Sequence, residues 1–239
     1  AGGSFVNNTD PNTIFNGASG ETYVLRWTIS NGACPATSSD VQIRFDLPPT
    51  PATAGVDQNI CGNSATLAGN NPLVGSGTWT VVSGVNGVFV DATEPTTGFS
   101  GDNGSVYVLR WTIDNGLCST QDEVTITFDA SPIAAEAGPA QDLCNTTDFL
   151  MAANPASPAP STGEWSFVGI DHGATIDDLT SATTMVRDVP PGESVTLRWT
   201  VTNGVCSSAD DVTVTNSQLP SAAVAGAPLT QCASGTFTL

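Results

Sequence analysis

The stretch YVLRWTIDNGLC, at Tyr107–Cys118, occurs three times in this chain with small changes. It is preceded by YVLRWTISNGAC at Tyr23–Cys34 and followed, with more substitutions, by VTLRWTVTNGVC at Val195–Cys206. The copies lie about 85 residues apart, which is longer than the unit of a solenoid and suits one small domain per copy. The sequence therefore predicts a tandem array of similar modules.

Within Tyr107–Cys118, large apolar residues alternate with smaller or polar ones, and this period of two predicts a half-buried β-strand. Asn115 and Gly116 then favour a tight turn. A second alternating strand follows, so the two strands predict a hairpin whose apolar side faces a core. The residues predicted to point inward are Tyr107, Leu109, Trp111, Ile113, Val124, Ile126 and Phe128.

Short runs rich in Thr, Val, Phe and Trp lie upstream of this hairpin, separated by Gly, Pro and Asn. With the hairpin they predict roughly seven strands per copy and a turn every 8 to 12 residues or so, which is the pattern of an immunoglobulin-like sandwich. The predicted fold class is all-β, with tandem immunoglobulin-like β-sandwich modules strung end to end.

A second signature marks where each copy begins. AGVDQNIC at Ala54–Cys61 returns as AGPAQDLC at Ala137–Cys144 and as AGAPLTQC at Ala225–Cys232. We therefore expect the C-terminal part of a truncated first copy, complete second and third copies, and the start of a fourth. The predicted segments are 1–53, 54–136, 137–224 and 225–239.

The charge balance excludes several classes of partner. The chain has 23 acidic residues against 5 basic ones and a formal net charge of -18. Such a surface repels the phosphates of nucleic acids and anionic membranes. No apolar run is long enough to span a bilayer, so we expect neither nucleic-acid binding nor membrane insertion by this segment.

Each complete copy contains one cysteine in each signature, without the closely spaced pairs of zinc or redox sites. Regular cysteines in small β modules predict disulfides and an oxidising compartment. We favour pairing within each copy, Cys61 with Cys118 and Cys144 with Cys206. The alternative, which the sequence leaves open, pairs neighbours across each junction. Those pairs would be Cys34–Cys61, Cys118–Cys144 and Cys206–Cys232.

Tryptophans recur in pairs in the two complete copies. We interpret them as core residues rather than as platforms for stacking sugars, because Trp111 shares its strand face with Leu109 and Ile113. Trp27 is the single tryptophan of the first copy. The predicted core signature is Trp79, Trp111, Trp165 and Trp199.

An arginine precedes the tryptophan in every LRW motif: Arg26, Arg110 and Arg198. Neighbouring residues on a strand point to opposite faces, so these arginines should project from the outer face. We interpret them as partners of carboxylates on adjacent strands. The alternative is that they bind an acidic polysaccharide.

No arrangement typical of an enzyme is visible. His172, the only histidine, lies in a glycine-containing loop. The pairs Asp177–Asp178 and Asp210–Asp211 are adjacent in sequence, which separates their side chains on a strand, and we interpret them as solvated turn acids. We predict that the chain is not an enzyme, has no catalytic or cofactor-binding residues, and needs no cofactor.

Structural calcium has weak support. Acidic residues gather near junctions and turns, and calcium prefers such oxygen ligands. However, Asp57 aligns with Ala140, and Asp129 aligns with Ser217, so a site required by every copy is not maintained. We assign no metal site. The acids concerned are Asp57, Asp91, Asp129, Glu136 and Asp142.

The whole chain resembles the repeats of giant cell-surface adhesins of gliding Bacteroidetes, of the SprB type. The resemblance lies in the combination of AGVDQNIC with GSGTWTVVSG (75–84), YVLRWTIDNGLC and DEVTITFD (122–129). It implies a very large exported protein displayed on the outer membrane, which grips an extracellular surface or polysaccharide. Other parts of such a protein would contact the gliding or secretion machinery.

From this resemblance we expect a non-enzymatic stalk and adhesive segment that serves surface attachment and gliding motility. Two alternatives stay open: a carbohydrate-binding accessory array of a secreted polysaccharide-degrading enzyme, and a self-assembling extracellular filament subunit. The parent chain distinguishes the stalk from the accessory array, because a catalytic domain would accompany an accessory array.

Overall fold

The computed structural model describes residues 2–226 and residue 228. These residues form β-strands and no α-helix, which confirms the all-β prediction. The chain divides into two compact units, Ala1–Pro132 with Thr202–Ser207, and Ile133–Val201 with Ser208–Leu239. The predicted start of a fourth copy, 225–239 with Cys232, lies outside the described residues except at 225, 226 and 228. The four predicted segments stay a prediction.

The first copy contributes two separate strand pairs to the first unit. β1 pairs with β2, and β3 pairs with β4 along its whole length, so that Arg26 faces Asp40 and Trp27 faces Ser39. β3 holds the first LRW motif. The strands are β1 Ser4–Phe5, β2 Phe15–Asn16, β3 Thr22–Ile29 and β4 Thr37–Arg44.

The second copy, in the same unit, forms a sandwich of seven strands, which matches the number predicted. A four-stranded sheet has the order β5-β11-β10-β7, and a three-stranded sheet has the order β6-β9-β8. All pairs are antiparallel except β5 with β11. The strands are β5 Gln58–Cys61, β6 Ser64–Thr66, β7 Ser76–Ser83, β8 Val88–Phe89, β9 Gly98–Ser100, β10 Val106–Asp114 and β11 Ser119–Asp129.

The core of the second copy lies between these two sheets. The predicted hairpin is β10 with β11, and its alternating apolar residues are buried, as the period of two requires. Leu67 and Phe99, in or next to the strands of the small sheet, pack against the same cluster. The buried hairpin residues are Tyr107, Leu109, Trp111, Ile113, Val124, Ile126 and Phe128.

The third copy repeats this arrangement in the second unit, apart from Thr202–Ser207 at the turn of its hairpin, which belong to the first unit. Its sheets have the orders β12-β18-β17-β14 and β13-β16-β15, and β12 pairs with β18 in parallel, as β5 does with β11. Its hairpin, β17 with β18, holds the third LRW motif. The strands are β12 Gln141–Cys144, β13 Phe149–Leu150, β14 Thr162–Val168, β15 Thr175–Ile176, β16 Met185–Arg187, β17 Ser194–Asn203 and β18 Cys206–Ser217.

A glycine beneath the LRW tryptophan is part of each sandwich. Gly77 of β7 lies directly against the ring of Trp111, and Gly163 of β14 lies against Trp199 in the same way. A side chain at either glycine would overlap the indole ring, so only glycine allows this close approach. The motif GTW or GEW thus complements LRW on the adjacent strand.

Candidate functional site

The LRW arginines lie on the outer faces of β3, β10 and β17, and each pairs with a carboxylate of the next strand. Arg26 binds Asp40 through two hydrogen bonds of 2.7 and 2.8 Å, and Arg198 binds Asp211 at 2.7 and 2.9 Å. Arg110 donates two hydrogen bonds to one oxygen of Glu123. The hairpin register places Arg26 and Arg110 directly opposite their acids.

These pairs shift the ionisation of their members. The hydrogen bonds from Arg26 and Arg198 lower the pKa of Asp40 and Asp211 below the usual range, and the charges of the arginines add to the effect. The same contacts raise the pKa of Arg26 and Arg198. Hydrogen bonds to an ionised carboxylate and a nearby opposite charge both favour the charged form.

The two remaining arginines also have acidic partners. Arg44 pairs with Asp46, and Arg187 pairs with Asp177 and Asp148. All five basic residues of the chain are therefore matched with carboxylates, while most of the 23 acids have no arginine beside them. The outer surface offers excess negative charge and no unmatched arginine.

The Arg198–Asp211 pair gives a prediction about pH. Because the folded-state pKa of Asp211 is lowered, the pair stabilises the fold above the unfolded-state pKa of about 3.9, and this contribution is lost as the pH falls through the folded-state value. We expect Arg198→Gln to raise the pKa of Asp211, measured by NMR titration of its carboxyl carbon.

Arg187→Gln is the matched control for this titration. It should raise the pKa of Asp177, whose main shift comes from the Arg187 hydrogen bond, and leave Asp211 unchanged. A pKa of Asp211 that stays the same in Arg198→Gln would show that the ion pair does not form in solution.

The structure places the four signature tryptophans inside the two sandwiches. Their side chains are at most 2% exposed, and the ring centroids are 5.0 Å apart for Trp79–Trp111 and 5.1 Å for Trp165–Trp199. Each indole N–H donates to a backbone carbonyl, for example Trp199 to Asn154 at 3.0 Å. No face of these rings is free to stack on a sugar.

The disulfide differs from both predicted pairings. Cys61 is bonded to Cys206, 145 positions away, with a Cα–Cα distance of 4.9 Å. Within the described part of the chain, Cys34, Cys118 and Cys144 form no disulfide and are exposed. The cysteine of the opening signature of the second copy thus bonds to the cysteine of the LRW signature of the third copy.

The physical reason is the position of the turn before Cys206. Residues Thr202–Ser207 belong to the first unit, where they lie at the end of β11. The side-chain amide of Asn203 donates to Ala130 O at 2.8 Å, and the backbone N–H of Val205 donates to Asp129 Oδ2 at 2.7 Å. Cys61 lies opposite Asp129 in the parallel β5–β11 pair, so the turn brings Cys206 to it.

Gly204 is required at the centre of this turn. It has a positive φ of 57°, and an added Cβ would overlap the carboxylate of Asp129. The Asn-Gly pair therefore serves two purposes, a tight turn and a close approach to the preceding strand. Sequence reasoning identified the turn and missed the approach.

The residues considered for catalysis have structural partners. His172 has a φ of 52°, and its Nδ1 lies 3.4 Å from a carboxylate oxygen of Glu193. Asp178 accepts hydrogen bonds from the N–H and hydroxyl of Thr180, which lower its pKa. Asp177 binds Arg187, as described above. These side chains do not converge on a common site.

Asp210 and Asp211 correct one interpretation. They lie within β18 rather than in a turn, and Asp210 Oδ2 accepts a hydrogen bond of 2.8 Å from the backbone N–H of Ala137. In the second copy, Asp122 accepts from Ala54 in the same way, also at 2.8 Å. These aspartates hold the segment that leads into each copy, 51–54 in the second copy and 134–137 in the third, against a hairpin strand. We call these residues the entry segments.

An asparagine completes the hold on each entry segment. Asn70 accepts from the N–H of Thr53 and donates to Pro51 O, at 2.8 and 2.9 Å. Asn154 makes the equivalent bonds with Glu136 and Ala134, at 2.9 and 2.8 Å. The recurrence of Asn after LAG and MAA was the signal that could have identified this role.

The acids considered for calcium do not gather into one site. Among the described residues, no group of three or more His, Cys, Asp or Glu side chains could hold a metal ion. Asp57, Asp91 and Asp142 instead accept hydrogen bonds from Thr125, Thr93 and Ser217. In the same portion of the chain, no helix is suited to crossing a membrane.

Comparison with known proteins supports the fold. No family model matches the chain, and no curated protein matches it. Extracellular domains 3–5 of Drosophila OTK are 14% identical over 81% of this chain and 70% of that one, with a TM-score of 0.52. An I-band fragment of titin is 11% identical over 85% and 77%, with a TM-score of 0.46. The likeness to OTK shows a tandem immunoglobulin-like β-sandwich fold.

Proposed function

We propose that this chain is a non-enzymatic stalk and adhesive repeat segment of a very large exported cell-surface adhesin that serves attachment and gliding motility. The observation that supports this best is that the same hydrogen bonds hold both entry segments. Asp122 and Asn70 make them in the second copy, and Asp210 and Asn154 make them in the third. Such repetition suits a segment whose purpose is reach and resistance to pulling.

The disulfide supports an extracellular location. Disulfides form and persist in oxidising compartments, and Cys61–Cys206 connects distant parts of the chain. Together with the resemblance to surface adhesins, this favours display on the outer membrane, with the gliding or secretion machinery contacting other parts of the parent protein.

The distribution of charged and aromatic groups favours weak, distributed adhesion. All five arginines are paired with acids, and the four signature tryptophans are buried, so the two complete copies, as the structure describes them, offer no cationic site for an acidic polysaccharide and no sugar platform formed by these tryptophans. The outer faces instead present polar side chains such as Thr112 and Thr125. Their natural partners are neutral polysaccharides and hydrated surfaces, without a requirement for calcium.

Retention of the oxidised 239-residue chain on surfaces tests the adhesive role. Agarose, a neutral glucan, an acidic polysaccharide and glass are compared at physiological salt, with calcium and with EDTA. We expect saturable retention on a neutral polysaccharide or on glass, unchanged by EDTA and unchanged in Arg198→Gln. Absence of retention on every surface by the folded chain would contradict adhesion by this segment.

Three further outcomes would replace the proposal. Release of sugars from a polysaccharide would show an enzyme, and retention on the acidic polysaccharide that Arg198→Gln abolishes would show a carbohydrate-binding array. Concentration-dependent assembly into filaments, seen by light scattering, would favour the self-assembling subunit.

A further inference from the structure

The exposed cysteines occupy positions that are bonded in other copies. Cys144 aligns with Cys61 in the opening signature, and Cys118 and Cys34 align with Cys206 in the LRW signature. Cys61 and Cys206 form the disulfide, whereas their counterparts form none within the described residues. The same two sequence positions are therefore seen both bonded and unbonded in one molecule.

The backbone places Cys144 as it places Cys61. Each is the last residue of a four-residue strand that pairs in parallel with the second hairpin strand of its copy. Cys61 lies opposite Asp129, and Cys144 lies opposite Ser217, which aligns with Asp129. Cys144 therefore occupies the same position at the end of the third copy as Cys61 occupies at the end of the second.

The turn before Cys118 is held as the turn before Cys206 is held. The side-chain amide of Asn115 donates to Leu47 O at 2.8 Å, and that of Asn203 donates to Ala130 O at 2.8 Å. Leu47 and Ala130 are equivalent residues, each following the last hairpin strand of the preceding copy. Cys118 is therefore held near the end of β4 as Cys206 is held near the end of β11.

We propose that Cys144 forms a disulfide with the LRW-signature cysteine of the copy that follows the third, and Cys118 with the opening-signature cysteine of the copy that precedes the second. By the same rule, Cys34 bonds to the copy before the first. Every copy is then joined covalently to its successor. This inference rests on the proposed function only in requiring that the array continue.

The chemistry is a thiol–disulfide exchange. Two cysteine thiols lose two protons and two electrons and form one S–S bond. A disulfide oxidant of the exporting compartment takes up these protons and electrons, its own S–S bond breaks, and it becomes a dithiol. Because Cys144 lies at an exposed strand end and Cys118 lies in an exposed loop, the oxidant can reach them after the copies have folded.

The consequence is that a force on the chain cannot unfold and extend one copy at a time. A bond from the opening of one copy to the hairpin turn of the next encloses most of both copies, as Cys61–Cys206 encloses 145 positions. With a bond at every junction, the enclosed segments overlap along the array. Unfolding of any single copy would then release little length.

A chain extended by one copy tests the proposal. Residues 68–132 are repeated after Leu239 so that they complete the fourth copy, with Leu117→Val in the added copy so that its cysteine peptide differs in mass from that of Cys118. The oxidised protein is then alkylated and mapped without reduction. We expect Cys144 linked to the added counterpart of Cys118, with Cys61–Cys206 retained. Cys144 found alkylated in the presence of Cys61–Cys206 would overturn the proposal, as would Cys118–Cys144.

Two controls make the result specific. In the 239-residue chain we expect alkylated Cys144, and in the extended chain Cys144→Ser should leave the added cysteine alkylated. If the added copy is digested by protease and so is unfolded, an extension with residues 152–220 of the third copy takes its place. It carries Val205→Leu so that its cysteine peptide differs in mass from that of Cys206, and the added counterpart of Cys206 is the expected partner. Adhesion is not measured here, so failure would leave the proposed function to its own test.

Discussion

Trp111→Ala should lower the free energy of unfolding of the second copy by about 3 to 5 kcal/mol, the range found when a buried aromatic side chain is truncated to alanine. The expectation follows from the site: Trp111 has no exposed surface, contacts Trp79, and covers Gly77. Truncation would leave a cavity and remove the indole hydrogen bond to Asn70 O. Urea unfolding followed by circular dichroism measures the change.

Trp27→Ala is the matched control, because the same motif residue is in a different environment in the first copy. Trp27 is 38% exposed, and no second tryptophan lies against it among the described residues. Its loss should cost less than about 1 kcal/mol, since surface substitutions have small effects. Equal effects of the two substitutions would show that burial of the LRW tryptophan does not stabilise the second copy.

Reduction should lengthen the stretched chain by about 500 Å, because Cys61–Cys206 encloses 145 positions and an unfolded residue spans at most about 3.5 Å. In the oxidised chain, a force applied at the two termini bypasses the enclosed segment. Unfolding of the second and third copies then adds almost no length. After reduction the same segment is under tension and extends fully.

Serine variants identify the bond that prevents the enclosed segment from extending in the oxidised chain. Cys61→Ser and Cys206→Ser should extend fully with or without reductant, and Cys118→Ser and Cys144→Ser should behave as the unmodified chain does. Optical-tweezer extension of the 239-residue protein is the measurement. If Cys118→Ser removed the protection of the enclosed segment, one of the pairings that involve Cys118 would be supported instead.

The strands and their inward residues were predictable because they depend on local geometry. Successive side chains of a strand point to opposite faces, so the alternation through Leu109 and Trp111 identifies the buried face without knowledge of the partner sheet. The acid opposite each LRW arginine also follows from hairpin register once the Asn-Gly turn is known. Glu123 lies opposite Arg110 for this reason.

The disulfide was not predictable because it depends on contacts between distant parts of the chain. Each signature has one cysteine per copy, so pairing within a copy, across a junction or with the next copy gives equally regular spacings. The parallel pairing of β5 with β11 and the contact of the Asn203 turn with Asp129 decide among them. Neither contact leaves a local pattern.

The role of Asp210 shows a signal that was present and misinterpreted. The acidity of Asp210 suggested a solvated turn, yet Asp210, like Asp122, lies in a hairpin strand and accepts a hydrogen bond from an entry-segment N–H. Alignment of the copies places them at the same position. A recurring acid two residues before the inward valine of a strand lies on the same face as that valine, which indicates a structural acceptor more strongly than its charge indicates exposure.

Non-reducing peptide mapping of the oxidised 239-residue chain tests most directly whether consecutive copies of this array are joined covalently. After alkylation and proteolysis, we expect one cross-linked species that contains Cys61 and Cys206, with Cys118 and Cys144 recovered as alkylated peptides. Recovery of Cys61 linked to Cys118, or of Cys118 linked to Cys144, would contradict the connection on which the stalk depends.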